Sequence, residues 1–123
     1  MQKAPVRRVD KPWGHETIWA ESDHYAGKTL FVKAGESLSL QYHEEKEETL
    51  HLLSGRVRFQ IGPSVEKLHD LDLERGESVH LPPGTVHRIE ALEDSELLEV
   101  STAHLDDVVR LEDRYGREGT SEA

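Results

Sequence analysis

The sequence predicts an all-β fold in which short strands form a sandwich or a barrel. Segments of alternating apolar and polar residues recur about every ten residues, with Gly and Pro turns between them. The clearest alternation is Arg56–Ile61, where Val, Phe and Ile share one face. A second observation is a repeat, because Gly35–Leu38 is echoed by Gly76–Val79 and each copy leads into an alternating strand. Two copies are too few for a solenoid, so the repeat indicates two similar halves of one sandwich or barrel.

The alternation of apolar and polar residues predicts where the strands lie. The two ends of the chain lack this alternation. Residues 1–12 contain Pro5 and Pro12, which oppose a helix, so we expect an extended arm. Residues 105–115 have apolar residues near helical spacing and two acidic residues at their start, which predicts a short C-terminal helix followed by a frayed tail over 116–123. We expect one domain over 1–123, with its barrel at 13–104. The expected strands are 13–19, 28–33, 37–43, 48–54, 56–61, 77–82, 86–92 and 96–102, with 65–71 pairing back on its neighbour.

The composition narrows the classes of function. The chain has 123 residues, a net charge of −10 and no cysteine. The acidic balance argues against nucleic-acid and anionic-membrane partners, which require clusters of Lys and Arg. Without cysteine, disulfides, thiolate metal sites and cysteine nucleophiles are excluded. The amino terminus lacks the apolar core of a signal peptide and no apolar run approaches membrane-spanning length, so we expect a soluble cytoplasmic protein.

The stretch Ser37–Leu50 carries the first candidate ligands. Alternate residues of a strand point the same way, so Gln41 and His43 project from one face, about 6.6 Å apart. Glu48 follows at an odd offset, which one continuous strand would turn away from His43. The charged run Glu44–Glu47 is too polar for a buried strand, and it predicts a reversal that returns Glu48 to the same site.

A fourth candidate ligand lies in the second copy of the repeat. The segment Pro82-Pro83-Gly84 must end one strand, because Pro lacks the ladder donor and Gly suits a turn, and His87 then opens the next strand. Four polar groups facing a small core are unfavourable without partners, so we favour a divalent metal over a purely hydrogen-bonded cluster. Nitrogen and oxygen donors without sulfur suit Zn, Mn, Fe, Co or Ni. The expected metal ligands are Gln41, His43, Glu48 and His87.

These two spaced motifs resemble those of the cupin superfamily, which implies a double-stranded β-helix, the jelly-roll barrel of cupins. Gln41 stands where most cupins have a first histidine, and Ala91 stands where the second motif has an asparagine. The motifs as they occur here are Gly35-x5-Gln41-x-His43-x4-Glu48-x6-Gly55 and Gly76-x5-Pro82-x-Gly84-x2-His87.

A narrower resemblance covers residues 11–117. The Gln/His/Glu/His set looks like the ligand set of phosphomannose isomerases, and the surrounding segments resemble the C-terminal cupin of bacterial type II mannose-6-phosphate isomerases, often fused to mannose-1-phosphate guanylyltransferase. The segments that carry it are 11–14 (KPWG), 38–43 (LSLQYH) and 107–117 (DVVRLEDRYGR). The resemblance implies a metal-dependent aldose–ketose isomerase for a sugar or sugar phosphate, in which a base moves a proton through an enediol.

Two other functions stay open. In the phosphomannose isomerase family the first motif usually contains a basic, His/Arg-rich run, whereas the run Glu44–Glu47 is acidic here, which favours a non-catalytic cupin that binds a metal and a small molecule. An iron-dependent oxygenase is a third hypothesis, disfavoured because Gln41 replaces a histidine.

Further site residues follow from chemistry alone. Lys28 and Arg88 are the candidates for binding a substrate phosphate, although each such cation is more often solvated and Arg88 is out of phase with His87. The catalytic base stays unassigned, with His80 and Glu99 as candidates. The resemblance also implies a homodimer, for which Trp13, Trp19 and the N-terminal arm would suit an edge contact.

Overall fold

A computed structural model describes residues 1–120, which form two six-stranded antiparallel sheets. The strands are β1 Arg7–Lys11, β2 Gly14–Glu21, β3 Tyr25–Val32, β4 Leu40–Tyr42, β5 Glu48–Ser54, β6 Val57–Gly62, β7 His69–Leu73, β8 Ser78–Leu81, β9 Val86–Ala91, β10 Ser95–Thr102, β11 Val109–Glu112 and β12 Gly119–Thr120. The first sheet has the strand order β1-β2-β3-β10-β5-β8, and the second has the order β12-β11-β4-β9-β6-β7. One 3₁₀ turn, Val65–Lys67, precedes β7.

The core lies between the sheets and is built from the inward residues of alternating strands. In β6, Val57 and Phe59 are fully buried while the intervening Arg58 pairs with an exposed acid at the surface. Leu30, Leu52 and Leu97 of the first sheet pack into the same cluster and are at most 1% exposed. The period-two pattern of the sequence therefore gives each strand one face toward the core, and the expected double-stranded β-helix is confirmed.

The two copies of the repeat run in opposite directions between the sheets. The first passes from β4 in the second sheet to β5 in the first, and the second passes from β8 in the first sheet to β9 in the second. Strand β4 pairs with β9, and β5 pairs with β8. The amide N–H of Gly84 donates to the carbonyl of His43 at 2.7 Å, which ties the two crossings together. Side chains at these crossings therefore meet at one end of the barrel.

Two predictions for the chain ends differ from the structure. The helix expected at 105–115 is wrong, because β11 extends the second sheet by pairing with β4. The spacing of the apolar residues in that segment does not distinguish a helix from a strand, and the edge of β4 offers unpaired backbone groups. Residues expected to fray include β12, which pairs with β11, while residues 121–123 lie outside the described part.

The amino-terminal arm is extended as expected, but it contains β1, which pairs with β2 at the edge of the first sheet. Trp13 is buried in the core, so it is not available for a contact between subunits. Trp19 is 38% exposed, and its ring lies over Gly27 on the outer face of the first sheet. Along residues 1–120, the structure contains no helix of the length and apolar character needed to cross a bilayer.

We predict that Gly55 is less replaceable than Gly76. Both have positive φ, 86° and 92°, so alanine at either position costs about 1–2 kcal/mol of strain. A Cβ at Gly55 would also overlap the Asp94 carbonyl and the Ser95 hydroxyl, whereas a Cβ at Gly76 would meet nothing within 4 Å. In urea denaturation, Gly76→Ala should show the strain alone and Gly55→Ala a loss of about 2–5 kcal/mol. Equal losses would contradict the close approach at Gly55.

Candidate metal centre

Three ligand-type side chains meet where the two crossings converge. His43 directly follows β4, Glu48 opens β5, and His87 is the second residue of β9. Glu48 Oε1 lies 3.5 Å from His43 Nε2 and 3.4 Å from His87 Nε2. The three ligand atoms are within 4.8 Å of one another, and all three residues are buried. The sequence prediction that the turn at 44–47 returns Glu48 to His43 therefore describes the geometry that is found.

Each histidine ring is oriented by a main-chain carbonyl. His43 Nδ1 lies 2.5 Å from the Asp107 carbonyl oxygen, and His87 Nδ1 lies 2.9 Å from that of Thr85. A carbonyl oxygen can only accept, so each Nδ1 carries the hydrogen and donates. In the neutral ring the lone pair is then on Nε2, which points toward Glu48. This is the arrangement that outer hydrogen bonds impose on metal-binding histidines.

Gln41 lies beside this group. It pairs with His87 across β4 and β9, and residues directly opposite in a sheet project from the same face. Gln41 lines the same cavity as the three ligand-type residues and is half-buried. All four residues expected at one site thus line the same cavity.

A row of buried charges extends from Glu48 across the floor of the cavity. Glu48 Oε2 lies 2.9 Å from Lys46 Nζ, and Lys46 Nζ lies 3.0 Å from Glu99 Oε2. Glu99 Oε2 is 3.7 Å from Lys28 Nζ, which in turn donates to Glu16 Oε1 at 3.0 Å. All five side chains are buried, and their charges alternate in sign. We call this row the buried ion chain.

The buried ion chain keeps both Glu48 and Lys46 charged. Burial alone would raise the pKa of Glu48, but the imidazoles of His43 and His87 beside its carboxylate and the charge of Lys46 hold it well below its usual value. Burial would likewise lower the pKa of Lys46, but the charges of Glu99 and Glu48 raise it above its ordinary value. A carboxylate is therefore present at the centre for binding a cation.

Asp107 fixes the turn that carries Glu48. Its carboxylate accepts the amide N–H groups of three successive residues, Glu44 at 3.0 Å, Glu45 at 2.7 Å and Lys46 at 2.9 Å. Burial alone would raise the pKa of Asp107, but these three N–H groups lower it. The same residue orients His43 through its carbonyl. Asp107 therefore positions both the His43 ring and the turn that leads to Glu48.

Of the two substrate-binding residues predicted from the sequence, Lys28 and Arg88, only Lys28 lies at the cavity. Lys28 lines the cavity as part of the buried ion chain. The structure does not bring Arg88 to the cavity, because it alternates with His87 along β9 and faces away. Its guanidinium instead lies 3.4 Å from both the carbonyl and the carboxylate of Glu112.

Of the two candidate bases, Glu99 and His80, only Glu99 lies at the cavity. Glu99 is 5% exposed and lines the cavity. His80 is exposed, does not line the cavity and lies 2.6 Å from Glu47 Oε2. His51 faces away from the site, as expected from its phase, and contacts Ser78.

Sequence reasoning missed three important residues. Lys46 lies in the charged turn that the sequence predicts to be too polar for burial, yet it is 4% exposed between two carboxylates. Glu16 carries a strand signal but no motif, and Asp107 was expected in the first turn of a helix. An alternation of polar residues along β2 could have placed Glu16 on the inner face with Ile18. No local signal marks Lys46, because its neighbours are all charged.

An antiparallel β-barrel whose two crossings place His, Glu and His side chains together at one end is a cupin. A family model described as "Mannose-6-phosphate isomerase C-terminal" matches residues 2–113, and the chain belongs to that family.

Curated relatives agree with this assignment. The chain is 35% identical over 116 residues to mannose-1-phosphate guanylyltransferase ManC of Salmonella typhimurium, covering 90% of this chain and 23% of that protein. It is 34% identical to the xanthan biosynthesis protein XanB of Xanthomonas campestris pv. campestris, covering 90% of this chain and 24% of the relative. The chain thus spans about a quarter of the length of these relatives.

Solved structures at lower identity share the fold. KdgF from Halomonas sp. superposes with a TM-score of 0.69 at 18% identity, covering 81% of this chain and 86% of that one. Oxalate decarboxylase from Bacillus subtilis gives a TM-score of 0.75 at 17% identity, covering 90% of this chain and 31% of the other. Similarity at this level supports the architecture alone.

We predict that Lys28→Met destabilises the protein strongly. The substitution would leave Glu16 and Glu99 buried without one of their cations, and breaking a buried ion pair typically costs about 3–5 kcal/mol. Arg58→Met is the matched control, because Arg58 makes a bidentate pair with Asp72 at the surface. Its effect in urea denaturation should be far smaller. Similar losses from both variants would argue against a structural role for the buried ion chain.

We also predict a pH-dependent contribution from Asp107. Because its folded pKa is depressed, it stabilises the protein at pH values above its unfolded pKa of about 3.9, and this contribution disappears as the pH falls through the lower folded value. Asp107→Asn should therefore reduce the free energy of unfolding near neutral pH, by about 1–3 kcal/mol, and the difference from the parent should shrink in acid. The exposed Asp23, replaced by Asn, serves as control. A difference that does not change with pH would contradict the role assigned to the carboxylate.

Proposed function

We propose that this chain is a metal-dependent aldose–ketose isomerase for a sugar or sugar phosphate. The observation that carries the proposal is the buried cluster of His43, Glu48 and His87, whose ligand atoms lie within 4.8 Å of one another. Membership of the mannose-6-phosphate isomerase C-terminal family supports the isomerase reaction. The activity of the longer relatives extends to this chain only as part of the proposal, because it spans about a quarter of their length.

The residues at the site fit a divalent transition metal. His43 and His87 would bind it through Nε2, Glu48 through its carboxylate and Gln41 through its amide oxygen. Two nitrogen and two oxygen donors without sulfur suit Zn, Mn, Fe, Co or Ni. When bound, such a metal polarises a substrate carbonyl and the neighbouring hydroxyl.

Glu99 is the better of the two candidate bases. Its carboxylate lies in the cavity between Lys46 and Lys28, whereas His80 lies outside the cavity. In the proposed reaction Glu99 removes the proton from the hydroxyl-bearing carbon next to the carbonyl, which gives the enediol, and returns it to the former carbonyl carbon. The proton of the neighbouring hydroxyl passes to the former carbonyl oxygen, so that the hydroxyl and the carbonyl exchange positions. Lys46 and Lys28 hold the carboxylate in place through the reaction. Glu16 Oε2 is buried at the same cavity without a hydrogen-bond partner among residues 1–120, so it can accept from a sugar hydroxyl.

A non-catalytic binding module is the second candidate. Two observations favour it: the turn beside the metal centre is acidic, and several curated relatives are named for guanylyltransferase activity rather than isomerisation. In that case the site would bind a metal and a sugar ligand without turnover. A homodimer stays a prediction from the family resemblance.

The test combines metal analysis with two variants. Anaerobically purified protein should contain a stoichiometric divalent metal, and it should interconvert mannose and fructose, or their 6-phosphates, in a coupled assay. Glu48→Gln should lose both metal and activity, while Glu47→Gln, which alters an exposed neighbouring carboxylate, should keep both. Glu99→Gln should retain the metal and lower kcat at least about a hundredfold, the usual contribution of a general base.

Each failure has a distinct meaning. Metal binding without turnover of any of these sugars by any divalent metal would replace the isomerase with the binding module. Consumption of O₂ with an iron-loaded protein would favour an oxygenase instead. Full activity in Glu99→Gln would remove Glu99 as the base while leaving the metal centre in place.

A further inference from the structure

One carboxylate at the cavity has a buried oxygen that the surrounding protein does not pair. Glu16, on β2, is 6% exposed and lines the cavity of the metal centre. Its Oε1 accepts a hydrogen bond from Lys28 Nζ at 3.0 Å, but its Oε2, which is also buried, has no hydrogen-bond partner among residues 1–120. Buried polar atoms are nearly always paired, so an unpaired acceptor that faces a cavity indicates a ligand that donates to it.

Glu16 shares a cation with Glu99, the base of the proposed isomerase. Lys28 on β3 lies directly opposite Glu99 on β10, and its Nζ is 3.7 Å from Glu99 Oε2. Strand β2 pairs with the other side of β3, and Glu16 is on the buried face of β2. Three adjacent strands therefore place two carboxylates at one cavity, on either side of one ammonium.

Aldose–ketose isomerisation requires a second proton transfer besides the one assigned to Glu99. After Glu99 has taken the carbon-bound proton, the hydroxyl proton on the same carbon must still reach the former carbonyl oxygen. The carbon-bound proton leaves perpendicular to the plane of the enediol, whereas the hydroxyl protons lie near that plane. Because a base must be within hydrogen-bond reach of the proton that it moves, one carboxylate in one position does not serve both transfers.

We propose that Glu16 is a second catalytic residue, which transfers the hydroxyl proton while Glu99 transfers the carbon-bound proton. This inference rests on the proposed isomerase function. Glu16 Oε2 accepts the proton of the hydroxyl next to the carbonyl and donates it to the former carbonyl oxygen. The sugar thus loses one C–H and one O–H proton and regains one of each on the neighbouring carbon and its oxygen, and both carboxylates end ionised, as they began. Lys28 stays bonded to Glu16 Oε1 and stabilises the ionised form.

The test follows two fates of the enediol in D₂O, with mannose or mannose 6-phosphate as substrate. Proton NMR gives the rate of ketose formation and the rate at which recovered aldose exchanges its C2 hydrogen for deuterium. The exchange reports the Glu99 transfer alone, because reprotonation of the same carbon needs no hydroxyl transfer. Glu16→Gln should lower ketose formation about a hundredfold and raise the ratio of labelled aldose to ketose. Glu99→Gln should lose both rates, and Glu21→Gln, which alters an exposed carboxylate at the end of the same strand, should match the parent.

A Glu16 that only neutralises Lys28 would give a different result. Its replacement would slow both rates together, and an unchanged ratio in a protein that still isomerises the sugar would overturn the role of Glu16 while the isomerase stands. Glu16→Asp keeps the charge but withdraws the carboxylate, so it should also raise the ratio. This variant decides the question if circular dichroism shows that Glu16→Gln is unfolded. Absence of turnover of either sugar by the parent would overturn the isomerase and the role of Glu16 together.

Discussion

The structure depends on the pairing of oppositely charged side chains that are buried inside a small barrel. Glu16, Glu48 and Glu99 all face the interior, where an unpaired carboxylate is strongly unfavourable. Lys28 and Lys46 lie between them, and each ammonium contacts two carboxylates, so the five side chains are mutually dependent. Hydrophobic residues of similar size would often stabilise an interior equally well. The presence of five buried charges next to His43 and His87 therefore argues for a chemical role in the cavity.

The placement of the site follows from how the two motifs pass between the sheets. Each motif changes sheet at the same end of the barrel, and the hydrogen bond from Gly84 to the His43 carbonyl joins the two changes directly. The ligand-type residues lie at those changes rather than in the middle of long strands. Because the core leucines and Phe59 fill the space between the sheets, the polar groups can be concentrated at one end without disrupting the packing.

Much of this arrangement could be predicted from local patterns. The alternation in β6 and the Pro-Pro-Gly turn placed strands correctly, and the offsets between Gln41, His43 and Glu48 indicated a common site because strand geometry is regular. The repeat Gly35–Leu38 and Gly76–Val79 indicated two related halves, which the sheet topology bears out. These features depend only on residues close together in the chain.

The features that could not be predicted depend on residues far apart in the chain. Strand β11 forms because the edge of β4 is open for pairing, and the sequence of residues 105–115 contains no local signal for that pairing. Lys46 is buried because Glu99, on β10, approaches it from the other side. Asp107 caps a turn some sixty residues away in sequence, and a pair of aspartates before apolar residues looks the same at the start of a helix.

The two roles of Asp107 are open to evolutionary change in different ways. The grip on the turn is made by the side chain, so a change of residue type removes it. The support for His43 is made by a main-chain oxygen, which every amino acid possesses. Substitution of Asp107 can therefore loosen the turn while the His43 imidazole keeps its hydrogen bond. The orientation of that imidazole depends on the course of the backbone and not on the residue type at position 107.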